Sequence, residues 1–177
     1  MSEETPARKP TLYILSAPSG GGKSSLARAL VERAQDTVTS VSHTTRPQRT
    51  GETHGVDYFF VHQSEFEQMI KDDGFLEYAR VFDHWYGTSR KVVEQAIVEN
   101  RSIMLDIDWQ GAQQVRRAFP AAVSVYILPP SVEALAQRLV DRGRDSPDEI
   151  TSRLSEAASE MSHYDEYDYI LININFD

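Results

Sequence analysis

The stretch Ser16-Ala17-Pro18-Ser19-Gly20-Gly21-Gly22-Lys23-Ser24-Ser25 decides how this chain folds. It directly follows the apolar run Leu12-Tyr13-Ile14-Leu15, which reads as a buried strand, and precedes Leu26, Leu30 and Val31 at helical spacing. A strand that breaks into glycines and restarts as a helix makes a cradle for phosphates. With no Cβ in the way, consecutive backbone N–H groups converge on one anion. The helix beginning near Gly22 adds the positive end of its dipole, and Lys23 adds a full charge able to reach β- and γ-phosphates. Ser24 offers a hydroxyl to Mg²⁺. The pattern is the P-loop over residues 17–24, with Ala17 where the strict form has Gly. A methyl group is tolerated there if φ is negative. A bare glycine turn is the plainer alternative. The flanking strand and helix, with Lys-Ser at the required offset, weigh against it.

Outward from the loop, short apolar strands alternate with helices. Helices are expected near 22–34, from an N-cap at Ser64 to about 72, from Ser89 to about 100, and over 111–118, 131–142 and 147–162. Strands are expected near 39–42, 58–61, 75–80, 103–108, 122–128 and 169–173, with Trp85-Tyr86-Gly87 as a tight connection. This alternation predicts an α/β protein whose central parallel sheet is covered on both faces. Residues 42–88 interrupt the rhythm with polar and aromatic short strands, and read as an inserted lobe. The arginine-rich stretch 138–153 is the candidate for a second, mobile helical lobe.

Asp106 and Asp108 end the apolar run Ile103-Met104-Leu105, and open α/β sheets bind ligands at the carboxyl ends of their strands. Asp106 suits a carboxylate holding Mg²⁺ opposite Ser24, although a helix-capping role is the alternative. Ser42, Thr44, Thr45, Arg46, Arg49, Gly51, Glu52 and Tyr58 form a polar cluster. Two arginines flanking Pro47 suit a doubly charged phosphate, and a solvated loop is the alternative. Arg138 and Arg142 share one helix face, with Arg153 on the next helix. Arginines on mobile segments neutralise the charge that spreads over a phosphoryl group in flight. The five histidines have no metal-ligand spacing and are assigned no chemistry.

The chain has 177 residues, no cysteine and a formal net charge of −9, enough length for one domain with inserted lobes. Disulfides and thiolate metal sites are excluded. The acidic balance argues against a general nucleic-acid binder. Residues 1–10 are polar, without the apolar core of a secretory signal, and are expected to form a flexible tail. No apolar run approaches the ~20 residues that span a bilayer, so no membrane partner and a cytoplasmic location are expected. Monomer and homo-oligomer both remain open.

Together these segments resemble guanylate kinase, the nucleoside monophosphate kinase that phosphorylates GMP. The loop carries the resemblance together with Ser40-Val41-Ser42-His43-Thr44-Thr45-Arg46-Pro47, Gly51-Glu52 through Asp57-Tyr58, and Phe75-Leu76-Glu77. Tyr86-Gly87-Thr88, Leu105-Asp106-Ile107-Asp108-Trp109-Gln110-Gly111 and Pro129-Pro130-Ser131 follow in the same order. Bacterial members commonly have Ala at the position of Ala17.

The resemblance implies a P-loop three-layer α/β/α fold with a mixed-strand GMP-binding lobe and a small helical lid. Its core would cover about 11–41, 89–130 and 163–177, the GMP lobe about 42–88, and the lid about 131–162. It further implies that Arg46, Arg49, Tyr58 and Tyr86 bind the GMP phosphate, with Glu52 in the same site. Ser42, Glu77, Thr88 and Asp108 would read the guanine. ATP would lie on Ala17, Pro18, Ser19, Gly20, Gly21, Gly22, Lys23, Ser24 and Ser25, with Arg138 and Asn173. Lys23, Arg46, Arg142 and Arg153 would act in catalysis, and Ser24 and Asp106 would hold Mg²⁺. The implied reaction is reversible, Mg²⁺-dependent phosphoryl transfer from ATP to GMP, serving purine nucleotide metabolism and GMP recycling.

Guanine presents N1–H and N2–H₂ donors side by side, and one carboxylate such as Glu77 accepts from both. Adenine lacks that pair. The alternatives are a phosphopeptide-binding guanylate-kinase-like module and a ribose 1,5-bisphosphate phosphokinase. Modules of the first kind typically have degraded P-loops, and the second has no guanine to read. Two departures stand out. Ile172-Asn173-Ile174 replaces the family's usual Val-Asn-Asp, and the chain stops at Asp177 where members usually continue into a closing helix. Exposed apolar surface is expected near the last strand.

Overall fold

The computed structural model describes residues 9–34, 36–81, 83–141, 143 and 146–175. Five strands form one all-parallel sheet: β1 (Leu12–Ser16), β2 (Thr37–Thr39), β7 (Ser102–Asp106), β8 (Val123–Leu128) and β9 (Tyr169–Ile172), in the order β2-β7-β1-β8-β9. The interior strands are apolar on both faces because both faces are covered. Leu12 and Ile14 of β1, Ile103 and Leu105 of β7 and Tyr126 of β8 join one core cluster. The alternate residues Leu15, Met104 and Ile127 join another with Ala17 and Ala27. Helix α1 (Lys23–Arg33) covers the second face through Ala27. Helices α3 (Arg90–Val98) and α4 (Trp109–Ala118) cover the first through Val93, Ala96, Ala112 and Val115.

A second, mixed sheet contains β3 (His43–Thr44), β4 (Phe59–Phe60), β5 (Phe75–Val81) and β6 (His84–Ser89), in the order β4-β3-β6-β5. Strands β3 and β4 run parallel, whereas β6 is antiparallel to both β3 and β5. Helix α2 (Gln63–Lys71) packs on this sheet through Phe66, which is fully buried between the rings of Phe75 and Trp85. Among the described residues the remaining α-helices are α5 (Val132–Asp141) and α6 (Pro147–Met161), followed by a 3-10 turn at Tyr164–Glu166. Ser146 and Glu149 form a reciprocal capping box at the start of α6, with Pro147 at its first turn.

Three local expectations are corrected. The segment 84–89 is a full strand, not a tight connection, and the reversal falls before it, where Asp83 takes φ 61°. Gly87 marks close packing instead of a turn, since a Cβ there would stand 2.9 Å from the Phe75 ring. Strand β2 lies at Thr37–Thr39, earlier than the expected 39–42. Its pairing with β7 ends at Thr39 opposite Met104, after which the chain peels away toward the second sheet. Helix α2 is capped by His62, not Ser64. Residues 1–8, on which most of the expected tail falls, Arg142, Arg144 and Asp145, and the last two residues lie outside the described residues.

Edge strand β9 exposes Tyr169, Ile170, Leu171 and Ile172. Asp168 ties its start to β8, accepting from the Ser124 amide at 2.8 Å and hydroxyl at 2.7 Å. No helix among the described residues is long and apolar enough to cross a membrane. Phe66→Ala is expected to lower unfolding free energy by about 3–5 kcal/mol, the cost of an aromatic cavity, as measured by chemical denaturation.

Candidate functional site

Strand β1 is the middle strand of its sheet, so the loop that follows it opens over the carboxyl ends of β7 and β8. Gly20 and Gly22 take φ of 85° and 88°, which side-chain-bearing residues rarely adopt, and Gly22 is the residue from which α1 starts. Among the described residues the non-glycine positions with positive φ are Asp73, Asp83 and Asn100, so Ala17 keeps its methyl group without strain.

The loop is held from several elements. Lys23 Nζ lies 2.9 Å from Asp106 Oδ1 at the end of β7. Burial opposes the charge on Lys23, but the Asp106 carboxylate outweighs it by charge and hydrogen bond, raising the ammonium pKa above its ordinary value. Tyr58 and Asp108 push the same way, so the lobe faces this lysine. Asn173, just past β9, donates from Nδ2 to the Gly21 carbonyl at 3.1 Å, and Arg138 of α5 donates to the Asn173 carbonyl at 2.8 Å. Arg153 of α6 donates to Ser19 Oγ at 2.7 Å. Pro18, Ser24 and Ser25 lie within or directly after this loop, with Ser24 and Ser25 exposed in the first turn of α1.

Glu160, also on α6, was not singled out by sequence reasoning. It accepts from the Ser19 amide at 2.9 Å, and burial raises its carboxyl pKa above the usual range. Nothing in the sequence separates it from the other carboxylates of α6. Arg142 falls outside the described residues.

A second cluster lies on the mixed sheet and the segments before it. Arg46, buried, donates from Nη2 to Glu52 Oε1 at 2.7 Å and from Nη1 to the Pro47 carbonyl at 2.8 Å. Its guanidinium lies over the rings of Tyr58 and Phe60, 5.5 and 5.7 Å from their centroids. The other Glu52 oxygen accepts from the Arg49 amide at 2.8 Å, while Arg49 itself is exposed. Burial opposes ionisation of Glu52, yet Arg46 and Arg49 more than offset it and hold its pKa below the ordinary range. Tyr86 meets the Tyr58 ring edge-on. This cluster offers guanidinium and phenol groups to an anion.

Ser42, Glu77 and Thr88 are buried nearby. Glu77 and Thr88 are cross-strand partners on β5 and β6, and both side chains are buried. Burial pushes the Glu77 carboxyl up to about 7; Thr88 opposes the shift and Asp108 adds to it. Asp108 is the N-cap of α4, its Oδ1 accepting from the Gly111 amide at 2.9 Å. The helix-capping alternative for an aspartate in this run therefore applies to Asp108, while Asp106 holds Lys23. A buried carboxyl poised near neutrality is a polar surface awaiting a ligand with adjacent donors.

Comparison with known proteins points to one family. The family model described as guanylate kinase matches residues 9–177. A guanylate kinase of Methylococcus capsulatus is 58% identical over 165 residues, covering 93% of this chain and 81% of the relative. That of Escherichia coli strain K12 is 55% identical over 169 residues, covering 94% and 82%. The crystal structure of guanylate kinase from Anaplasma phagocytophilum superposes with a TM-score of 0.79 at 36% identity, over 94% of this chain and 78% of that one. With the loop, the mixed-sheet lobe and sequence identity all pointing the same way, the chain belongs to the guanylate kinase family.

Proposed function

We propose that the two clusters hold the two substrates of an ATP:GMP phosphotransferase, tail to tail across the space between loop and lobe. The reaction is reversible transfer of the γ-phosphoryl group of ATP to GMP, giving ADP and GDP. The loop 17–25 would cradle the ATP phosphates through main-chain amides and Lys23, with Arg138 and Asn173 fixing the loop from behind. Arg46, Arg49, Tyr58 and Tyr86 would take the GMP phosphate, with Glu52 orienting Arg46. Ser42, Glu77, Thr88 and Asp108 would read the guanine.

The observation that carries this reading is the buried Glu77 carboxyl, paired across strands with Thr88 and within electrostatic reach of Lys23. A phosphopeptide module would have no use for a purine reader beside an intact Lys23–Asp106 pair, and a ribose bisphosphate has no base to meet it. Cytoplasmic operation belongs to the same proposal.

The acceptor oxygen of GMP is already ionised near neutral pH, so no catalytic base is needed. Rate acceleration comes from holding donor and acceptor in line and from neutralising charge on the transferring group. Lys23 is suited to this because Asp106 keeps it charged. Arg153 already reaches the loop from α6, and Arg46 lies in the lobe, fixed by Glu52. Arg142 would act from the lid.

The oxygen donors Ser24 and Asp106 fit Mg²⁺, which takes few protein ligands and completes its shell with phosphates and water. Asp106 already lies against a cation, Lys23, at the mouth of the loop. When bound, the ion would neutralise charge on the β- and γ-phosphates.

Lys23→Ala is expected to collapse kcat in a coupled ADP-release assay with GMP, while near wild-type turnover would refute its role. Glu77→Gln should weaken GMP use by roughly 1–3 kcal/mol, the scale of losing a charged acceptor, and narrow the GMP:AMP preference. In the wild type, KM for GMP should rise as pH falls through about 7, where Glu77 gains a proton. Glu77→Gln should lack that component, leaving only the titration of the GMP phosphate. The sign for stability is opposite. The folded state holds the Glu77 proton more tightly than the unfolded chain, so stability in the free enzyme falls as pH rises from the ordinary carboxylate range to about 7. Denaturation of Glu77→Gln without ligand should therefore show a gain over wild type above pH 7 that shrinks toward pH 4.

A further inference from the structure

We infer that Gln114 is a positioning residue for base recognition, its side-chain amide clamping the main chain beside Glu77 and seating that carboxylate against helix α4. The inference rests on Glu77 being the acceptor for guanine.

Strand β5 is the outer strand of the mixed sheet, so alternate residues turn an N–H and a C=O away from β6. At Tyr78 these outward groups are both engaged. The Tyr78 amide donates to Gln114 Oε1 at 3.2 Å, and Gln114 Nε2 donates to the Tyr78 carbonyl at 2.7 Å. A primary amide carries a donor and an acceptor side by side, so one side chain pairs as the residue of a neighbouring strand would. Gln114 lies on α4, whose Ala112 and Val115 are fully buried against the parallel sheet. The clamp therefore fastens the base-reading strand to the core of the molecule.

The same helix supplies the rest of the seat. Asp108, Gly111 and Gln114 follow at three-residue spacing and share one face of α4. A Cβ at Gly111 would collide with the Glu77 carboxylate, so Glu77 packs directly on the helix backbone. Asp108 is fixed by the Gly111 amide and by Gln110 Nε2, which donates to its Oδ2 at 3.0 Å. One end of this face holds the Asp108 carboxylate, the middle receives Glu77, and the far end grips the residue next to Glu77 in sequence. The separation of the two carboxylates is thereby set by a helix, while Arg46, Tyr58 and Tyr86 lie on β6 and on the segments around β3 and β4.

The test is steady-state kinetics of Gln114→Ala, with Gln114→Met as a volume-matched variant should the first fail to fold. GMP and IMP serve as acceptors, because IMP lacks the 2-amino group. Loss of the clamp should raise KM for GMP about tenfold or more, shrink the GMP:IMP preference by a similar factor, and leave KM for ATP within about twofold. Gly111→Ala, pressing on Glu77 from the helix side, should produce the same selective loss. An unchanged GMP:IMP preference overturns the inference, as does an equal rise in both KM values, which marks general loosening. Glu77→Gln is measured in parallel to separate the two claims. If Glu77→Gln leaves the GMP:IMP preference intact, the guanine-reading assignment falls. If it abolishes the preference and Gln114→Ala does not, the clamp alone falls.

Discussion

Because β1, β7 and β8 bury side chains on both faces, they pair in parallel beneath covering helices, and their carboxyl ends emerge side by side. The first of the two clusters is arranged along that row of ends. The loop leaves β1, Asp106 closes β7, Asp108 starts the helix after it, and Asn173 follows β9. Lys23 and Asp106 meet at 2.9 Å because the loop leaving β1 delivers the start of α1 beside the end of β7. Parallel pairing thus brings a cation and a carboxylate together from positions far apart in sequence, and a loop of small residues becomes a charged cradle.

Charge management explains the second cluster. Arg46 is buried, and burying a guanidinium is costly unless it is paired and hydrogen-bonded. Glu52, the Pro47 carbonyl and two aromatic faces surround it, which keeps it charged and directionally fixed. Glu77 is treated in the opposite way. It is buried with Asp108 close by, so its ionised form is held at a disadvantage. A site kept strained in this manner is relieved by a ligand that brings hydrogen-bond donors, which turns part of the protein's own instability into selectivity.

Features encoded locally were legible in the sequence. The loop, its flanking strand and helix, the carboxylates after Leu105 and the arginine pair around Pro47 all announce themselves by residue type and spacing within a dozen positions. Long-range pairings were not. Gln114 meets Tyr78 across 36 positions and Glu160 meets Ser19 across 141, and neither side chain differs from a solvated helix residue when read in line. The misreading of Trp85-Tyr86-Gly87 has a related origin. A glycine beside aromatics signals a turn in one dimension, but here it makes room for Phe75 from the neighbouring strand. The placement of β2 was set by its pairing with β7, which stops at Thr39 opposite Met104 although β7 continues, and the strand's own residues do not encode that.

The contact between Ser19 and α6 has a further consequence. One main-chain N–H of the glycine-rich loop is occupied by an internal acceptor, the Glu160 carboxyl, and the neighbouring hydroxyl is held by Arg153 of the same helix. An incoming polyphosphate that claims that N–H arrives by exchange, evicting the carboxylate instead of filling a bare site. That exchange would release one tether of α6. Net affinity for such a ligand is then a difference between two acceptors competing for one donor.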